Sequence, residues 1–214
     1  EPIVAPARAD LAAAATATGR RVVSAFFVSP TFGGGSWLAH ATLMTGFEVR
    51  EPGSYARLLT QRRDTLPKLF KAHGYRAVAL MPGLKSAWPE GSFYGFDAIY
   101  GEAEIDYRGP AFGWWRIPDQ YALAALHVLE PAAAGAPLFV FLPTINTHIP
   151  FLPTPPYQPD WARLHTAEPF DAAAVAASNA RTPDWESLSG PYAESFVYTL
   201  TYLAGYLREQ AQSD

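Results

Sequence analysis

The stretch that decides the fold reads RVVSAFFVSPTFGGGSWLAHATLMTG and runs over residues 21–46. Arg21 to Val28 is β-branched and aromatic, which predicts a strand. Ser29-Pro30-Thr31-Phe32 and Gly33-Gly34-Gly35 then break it into a loop. Ser36 to Met44 predicts a short helix with Ser36 as N-cap or first residue. Three glycines let the backbone turn tightly and approach a ligand closely. A helix start offers unpaired N–H groups and the positive end of its dipole to an anion. A serine there is placed to attack phosphorus or sulfur, given a metal or base to activate it. His40 lies one helical turn from Ser36 on the same face. The same residues also fit a plainer reading, in which Ser36 caps the helix, the glycines make a turn and His40 is a packed histidine.

Working outward, the pattern alternates. Pro6 to Thr18 predicts a helix, with Pro6 tolerated in the first turn and Gly19 ending it. Asp64-Thr65 caps a helix that Gly74 closes, and Arg76 to Met81 and Phe96 to Tyr100 predict strands. Pro118-Asp119 opens a helix to about Glu130. Pro137 to Leu142 (PLFVFL) is a continuous apolar run, the composition of a strand buried on both faces. Tyr192, Phe196, Leu200, Leu203 and Leu207 recur at helical spacing. Alternating strands and helices predict an α/β fold with three layers, α/β/α, around a mostly parallel sheet. No linker divides the chain, so residues 1–214 read as one domain.

Composition narrows the function. With 16 Lys and Arg against 20 Asp and Glu, the net charge is −4 and no basic block stands out. That argues against a nucleic-acid footprint. No apolar run is long enough for a membrane span. Cysteine is absent, which excludes disulfides, thiolate metal sites and a cysteine nucleophile. The chain is rich in proline (20) and aromatic residues (14%), as expected of long shaped loops over a sheet, where sites gather.

The segment SWLAHATLMTG resembles the sulfatase signature Cys/Ser-x-Pro-Ser-Arg-x-x-Leu-Leu-Thr-Gly. Thr45-Gly46 falls on its Thr-Gly, Leu43-Met44 on its Leu-Leu, Ser36 on the nucleophile and His40 on the arginine. Leu38 and Ala39 replace the Pro-Ser that guides conversion of the nucleophile to formylglycine. The resemblance is therefore to branches with an unmodified hydroxyl nucleophile: alkaline phosphatases and the lipoteichoic-acid-synthase-like phosphoglycerol or phosphoethanolamine transferases. Further segments fall in the order of that superfamily. They are Asp64 to Tyr75, Tyr94-Gly95-Phe96-Asp97 with Tyr100-Gly101, Trp115 with Ile117-Pro118-Asp119, and LFVFLPTINTHIPF with His148 on the family's histidine. The nucleophile segment is similar to the SPTFGGxSWLAHxTLLTG of bacterial sulfatase-domain proteins.

The resemblance implies a metal-dependent hydrolase or transferase of phosphate or sulfate esters, acting on a cell-envelope lipid or glycan. It implies Ser36 as nucleophile and metal ligand, His40 as its helper, and His148, Trp88, Gly35 and Lys85 at the substrate. It further implies a divalent ion (Mn, Zn, Mg or Ca) and a periplasmic or extracytoplasmic protein tethered to the inner membrane. The family's remaining metal ligands are an acidic residue after a first strand and a later Asp-His or Asp-Asn pair. No Asp here precedes His or Asn, and Glu1 is the one remnant of the first ligand. The expectation is a partial sulfatase-like domain, incomplete at both ends and inactive alone, with Asp10, Asp97 and Asp119 the next ligands to examine. The competing reading is a non-catalytic α/β module that binds an anionic glycan or lipid headgroup through the glycine loop and the tryptophans, Trp114 and Trp115 among them. A nucleophile elbow of the α/β-hydrolase kind does not fit, because Leu38 stands where its second glycine belongs.

Overall fold

The structure, a computed structural model, describes residues 2–113, 116–131 and 135–213. Glu1, Trp114 and Trp115 lie outside them. In chain order the helices are α1 (Ala5–Ala17), α2 (Ser36–Thr45), α3 (Pro52–Leu59), α4 (Leu66–Ala72), α5 (Gly91–Tyr94), α6 (Glu102–Ile105), α7 (Asp119–Leu129), α8 (Ala172–Asn179) and α9 (Ser189–Ser213). The strands are β1 (Arg76–Leu80), β2 (Ala98–Tyr100) and β3 (Leu138–Phe141). Among the described residues the sheet is wholly parallel, in the order β2-β1-β3. Val78 pairs with Ala98 on one side and Val140 on the other.

The two-residue period of the strands sorts side chains between two apolar cores. Val78, Leu80 and Val140 point to one face, where α7, Tyr198 and Tyr202 of α9, Trp161 and Leu164 pack on them. Phe139 and Phe141 point to the other, against Leu38, Ala41 and Met44 of α2, together with Val49 and Leu58. The sheet is thus the middle of three layers. A third cluster joins α1 to α9 through Leu11, Ala14, Leu200 and Ala204. Arg76 at the start of β1 makes a bidentate pair with Glu130, at 2.6 and 2.7 Å, and Tyr100 of β2 donates to the same carboxylate. That network ties two strands to the end of α7.

Two expectations are corrected. Arg21 to Val28 forms no strand and is exposed throughout, with Val23 at 90%, Phe26 at 96% and Val28 at 97%. β-propensity is a side-chain preference, whereas a strand also needs a neighbouring backbone to take up its N–H and C=O groups. None lies beside this segment among the described residues. The run Pro137 to Leu142 does contain a strand, but not one buried on both faces; Leu138 is exposed and its neighbours are half-buried. β3 pairs with β1 only, so its other edge is unpaired within this sheet.

Candidate functional site

The loop before α2 holds three consecutive glycines at φ of +67°, +132° and +65° (Gly33, Gly34 and Gly35). A Cβ at Gly33 or Gly34 would meet nothing within 4 Å, so space does not demand glycine there. Backbone conformation does, because L side chains are strained in this region. Gly35 is the N-cap of α2, in left-handed geometry, and Ser36 is the first helical residue. No side chain caps this helix start, which leaves the end of α2 open to an anion from outside.

Ser36 sits at the C-terminal edge of the sheet. A cavity of about 420 Å³ opens there, between the start of α2 and the chain leaving β1 and β3. Ser36, His40, Met81, Thr144, Thr147 and His148 line it. The structure therefore brings Ser36 and His148 round one space although they lie far apart in sequence. His40 is half-buried, its ring edge-on to Phe141 at 5.7 Å. Burial holds its imidazole below the ordinary histidine range, so it is neutral at pH 7. His148 is exposed, and its Nδ1–H donates to the Ile149 carbonyl at 2.7 Å, which orients the ring.

The loop carrying His148 is pinned from beneath by Asp119, the first residue of α7 and fully buried. Its carboxylate accepts the Ile145 N–H at 3.0 and 3.1 Å and the Asn146 N–H at 2.9 Å. Asn146 returns the bond by accepting the Asp119 N–H at 2.9 Å. Burial pushes the Asp119 carboxyl up to about 7, against the pull of those two backbone donors. Sequence reasoning placed Asp119 at a helix start and among acidic candidates for a metal. Nothing in its local pattern says that it reaches a loop 26 residues on.

The other expected site residues lie elsewhere. Trp88 faces a neighbouring aromatic cavity, and Lys85 lines a separate groove with Ser86, Gly101 and Glu104. Asp10 pairs with Arg208 across α1 and α9 at 2.5 Å. Asp97 accepts the Ala77 N–H at 2.8 Å and pairs with Lys71 at 2.6 Å, at the foot of β1. Among the described residues, no group of three or more His, Asp or Glu could hold a metal ion. The Ser36 cavity is lined by hydroxyls and two imidazoles, with no carboxylate. Hard divalent cations need several oxygen ligands, commonly carboxylates, so these residues do not fit one by themselves.

Residues 16–203 match the family model described as Sulfatase. The chain belongs to the sulfatase family. It is 28% identical over 144 residues to an uncharacterized protein of Haemophilus influenzae, a match covering 58% of this chain and 26% of that protein. Its fold is similar to the lipoteichoic acid synthase LtaP of Listeria monocytogenes, with a TM-score of 0.57 and 13% identity. That likeness covers 86% of this chain and 42% of the LtaP chain. At such identity the likeness shows the fold alone. The chain spans about a quarter of the first relative and about two fifths of the second. No helix among the described residues is long and apolar enough to cross a membrane.

Proposed function

We propose that this chain supplies the serine nucleophile and the ester-binding groups of a phosphate-ester hydrolase or transferase. The observation that carries the reading is Ser36 at the uncapped start of α2, on a loop of left-handed glycines, sharing one cavity with His148. Ser36 Oγ attacks the phosphorus in line; the Oγ–P bond forms, the ester P–O bond breaks, and the alcohol departs carrying a proton. Neutral His40, one turn below, takes the serine proton, which passes through solvent to the departing alcohol. Charge on the non-bridging oxygens meets the N–H groups at the helix start, while His148 orients one oxygen. Water or an acceptor hydroxyl then takes the phosphoryl group from Ser36. Leu38 and Ala39, in place of the Pro-Ser of formylglycine sulfatases, leave Ser36 unmodified and favour phosphate over sulfate.

No step above runs through a metal. A serine with one imidazole is a weak nucleophile, so these residues by themselves turn over little, and full activity draws on a further activating group. The fold shared with LtaP supports a cell-envelope lipid or glycan as the ester's source and an extracytoplasmic setting. The test incubates the protein, as this chain and joined to whatever sequence its gene adds at either end, with bis(4-nitrophenyl) phosphate and Mn²⁺, Zn²⁺ or Mg²⁺, reading nitrophenol release and intact mass. Metal-dependent nitrophenol release and a phosphoryl adduct at Ser36 are expected in the active form of the protein, both lost in Ser36→Ala. Turnover that survives Ser36→Ala refutes the nucleophile. Anion binding with no adduct in any form of the protein leaves a non-catalytic binding module.

A further inference from the structure

A second cavity, of about 520 Å³, begins where the Ser36 cavity ends. The two share His40, Met81 and Leu84 as a common wall. Beyond that wall the lining is aromatic: Trp37, Tyr55, Trp88, Tyr94, Phe96 and Phe141. The rings meet in two groups. Trp37 meets Tyr55 edge-on at 4.7 Å, Trp88 lies 5.3 Å from Tyr94 and 6.5 Å from Phe96, and Phe96 stacks on Phe141 at 6.2 Å. The Tyr55 hydroxyl is engaged with the Tyr94 and Trp88 side chains, so the two phenols turn toward each other. Charged groups on the wall are few: exposed Glu90, and His40, which is neutral.

Three considerations fix what such a space takes. Its polar groups are largely satisfied among themselves, which disfavours a sugar that needs free donors and acceptors. The one carboxylate disfavours a second anion. Its size exceeds that of a small cation: an apolar cavity of about 150 Å³ already holds benzene, and 520 Å³ falls in the range of sites that enclose a whole organic group.

We infer that this aromatic cavity holds an uncharged apolar group of the ester substrate, a fused ring or an alkyl chain, while the phosphate lies against Ser36. The inference rests on the proposed function for the position of the phosphate, but not for the binding of the apolar group itself. Trp88 accordingly serves the apolar part of the substrate rather than the reacting oxygens. Gly91 lies against the Trp88 ring of this wall: a Cβ there would lie 2.4 Å from Ile99 Cδ1 and 2.8 Å from the Trp88 ring, so glycine lets the indole pack down.

The test is a titration of the chain, uniformly ¹⁵N-labelled, with 2-naphthol, 2-naphthyl phosphate, n-octyl phosphate, phosphocholine and inorganic phosphate. The readout is the indole N–H resonances of Trp37 and Trp88. Either the naphthyl or the octyl phosphate is expected to bind at least tenfold more tightly than phosphocholine and inorganic phosphate; which of them leads tells ring from chain. Trp37→Ala, at a half-exposed position, and Tyr55→Leu should each erase most of that tenfold gain. Naphthol should move the same two indoles, and should still do so in Ser36→Ala. Naphthol binding with no added affinity from the phosphate would uphold the apolar cavity and count against the phosphate position at Ser36. Equal affinities for all five probes, tighter binding of phosphocholine, or shifts confined to other tryptophans would overturn the inference.

Discussion

Asp119→Asn probes the device that holds the His148 loop. Asp119 is a fully buried carboxyl shared by two backbone amides. In the native state it titrates near 7, while in the unfolded chain it titrates at its ordinary value of 3.8. The native state therefore holds this proton more tightly, and the stability it contributes is full below pH 3.8 and is lost as pH rises through 7. Linkage puts that loss at about 2–3 kcal/mol between pH 5 and pH 8. Asparagine removes the titration. With its oxygen at the Oδ2 position it still accepts from Ile145 and Asn146, but its NH₂ then sits where Oδ1 lay, 3.0 Å from the Ile145 nitrogen, donor against donor. That conflict costs about 1–3 kcal/mol. The variant should be less stable than wild type at pH 5 by this amount, and the gap should close or reverse by pH 8. His40 and His127 are both depressed by burial and bend the curve the opposite way, so the quantity to follow is the difference between the two proteins. Urea unfolding followed by tryptophan fluorescence at pH 5, 6, 7 and 8 measures it. A gap that stays constant across this range would refute a native carboxyl near 7.

Other substitutions test separate parts of the argument. Gly34→Ala, at φ +132° with open space around it, should cost about 1–3 kcal/mol through backbone strain alone; an unchanged melting temperature would show that the loop does not require this conformation. Phe26→Ser, at a side chain 96% exposed, should shift stability by less than about 0.5 kcal/mol, whereas a loss of several kcal/mol in thermal unfolding would place Phe26 in a core. Glu130→Ala leaves Arg76 and Tyr100 without their shared partner; because Arg76 stays about a third exposed and water can replace the carboxylate, the cost in chemical denaturation should be about 1–2 kcal/mol. Gly91→Ala should displace Trp88 from the aromatic cavity and weaken naphthyl phosphate binding severalfold by calorimetry, with inorganic phosphate unaffected.

Much of this fold is local, and to that extent it is legible in the sequence. Gly33 to Gly35 demand a turn that only glycine makes, so the loop and the start of α2 at Ser36 are where the motif puts them. Thr65 caps α4 by accepting the Lys68 N–H, and Gly74 follows its end in left-handed geometry. The strand positions of Arg76, Ala98 and Leu138 follow from short apolar runs between turn signals. Short helices such as α3 escaped notice because eight residues opening on Pro52-Gly53 carry the signal of a turn rather than of a helix start.

What the sequence could not decide is everything that depends on a neighbour. Arg21 to Val28 has strand composition, yet strand formation is a property of a pair of backbones, and the described chain offers this segment no partner. Asp119 looks like any acid in a first helical turn until folding carries the amides of Ile145 and Asn146 onto it and excludes water. Trp37, Tyr55, Trp88 and Phe141 come from four separate segments and become one cavity wall only when α2 and α3 close over the sheet. Ser36, Gly35 and His40 were nameable from the sequence because helix geometry sets their spacing over a few residues. Their company with His148, and Trp88's place on the far side of the His40 wall, were set by the parallel order of β1 and β3, a long-range pairing that no local pattern of side chains encodes.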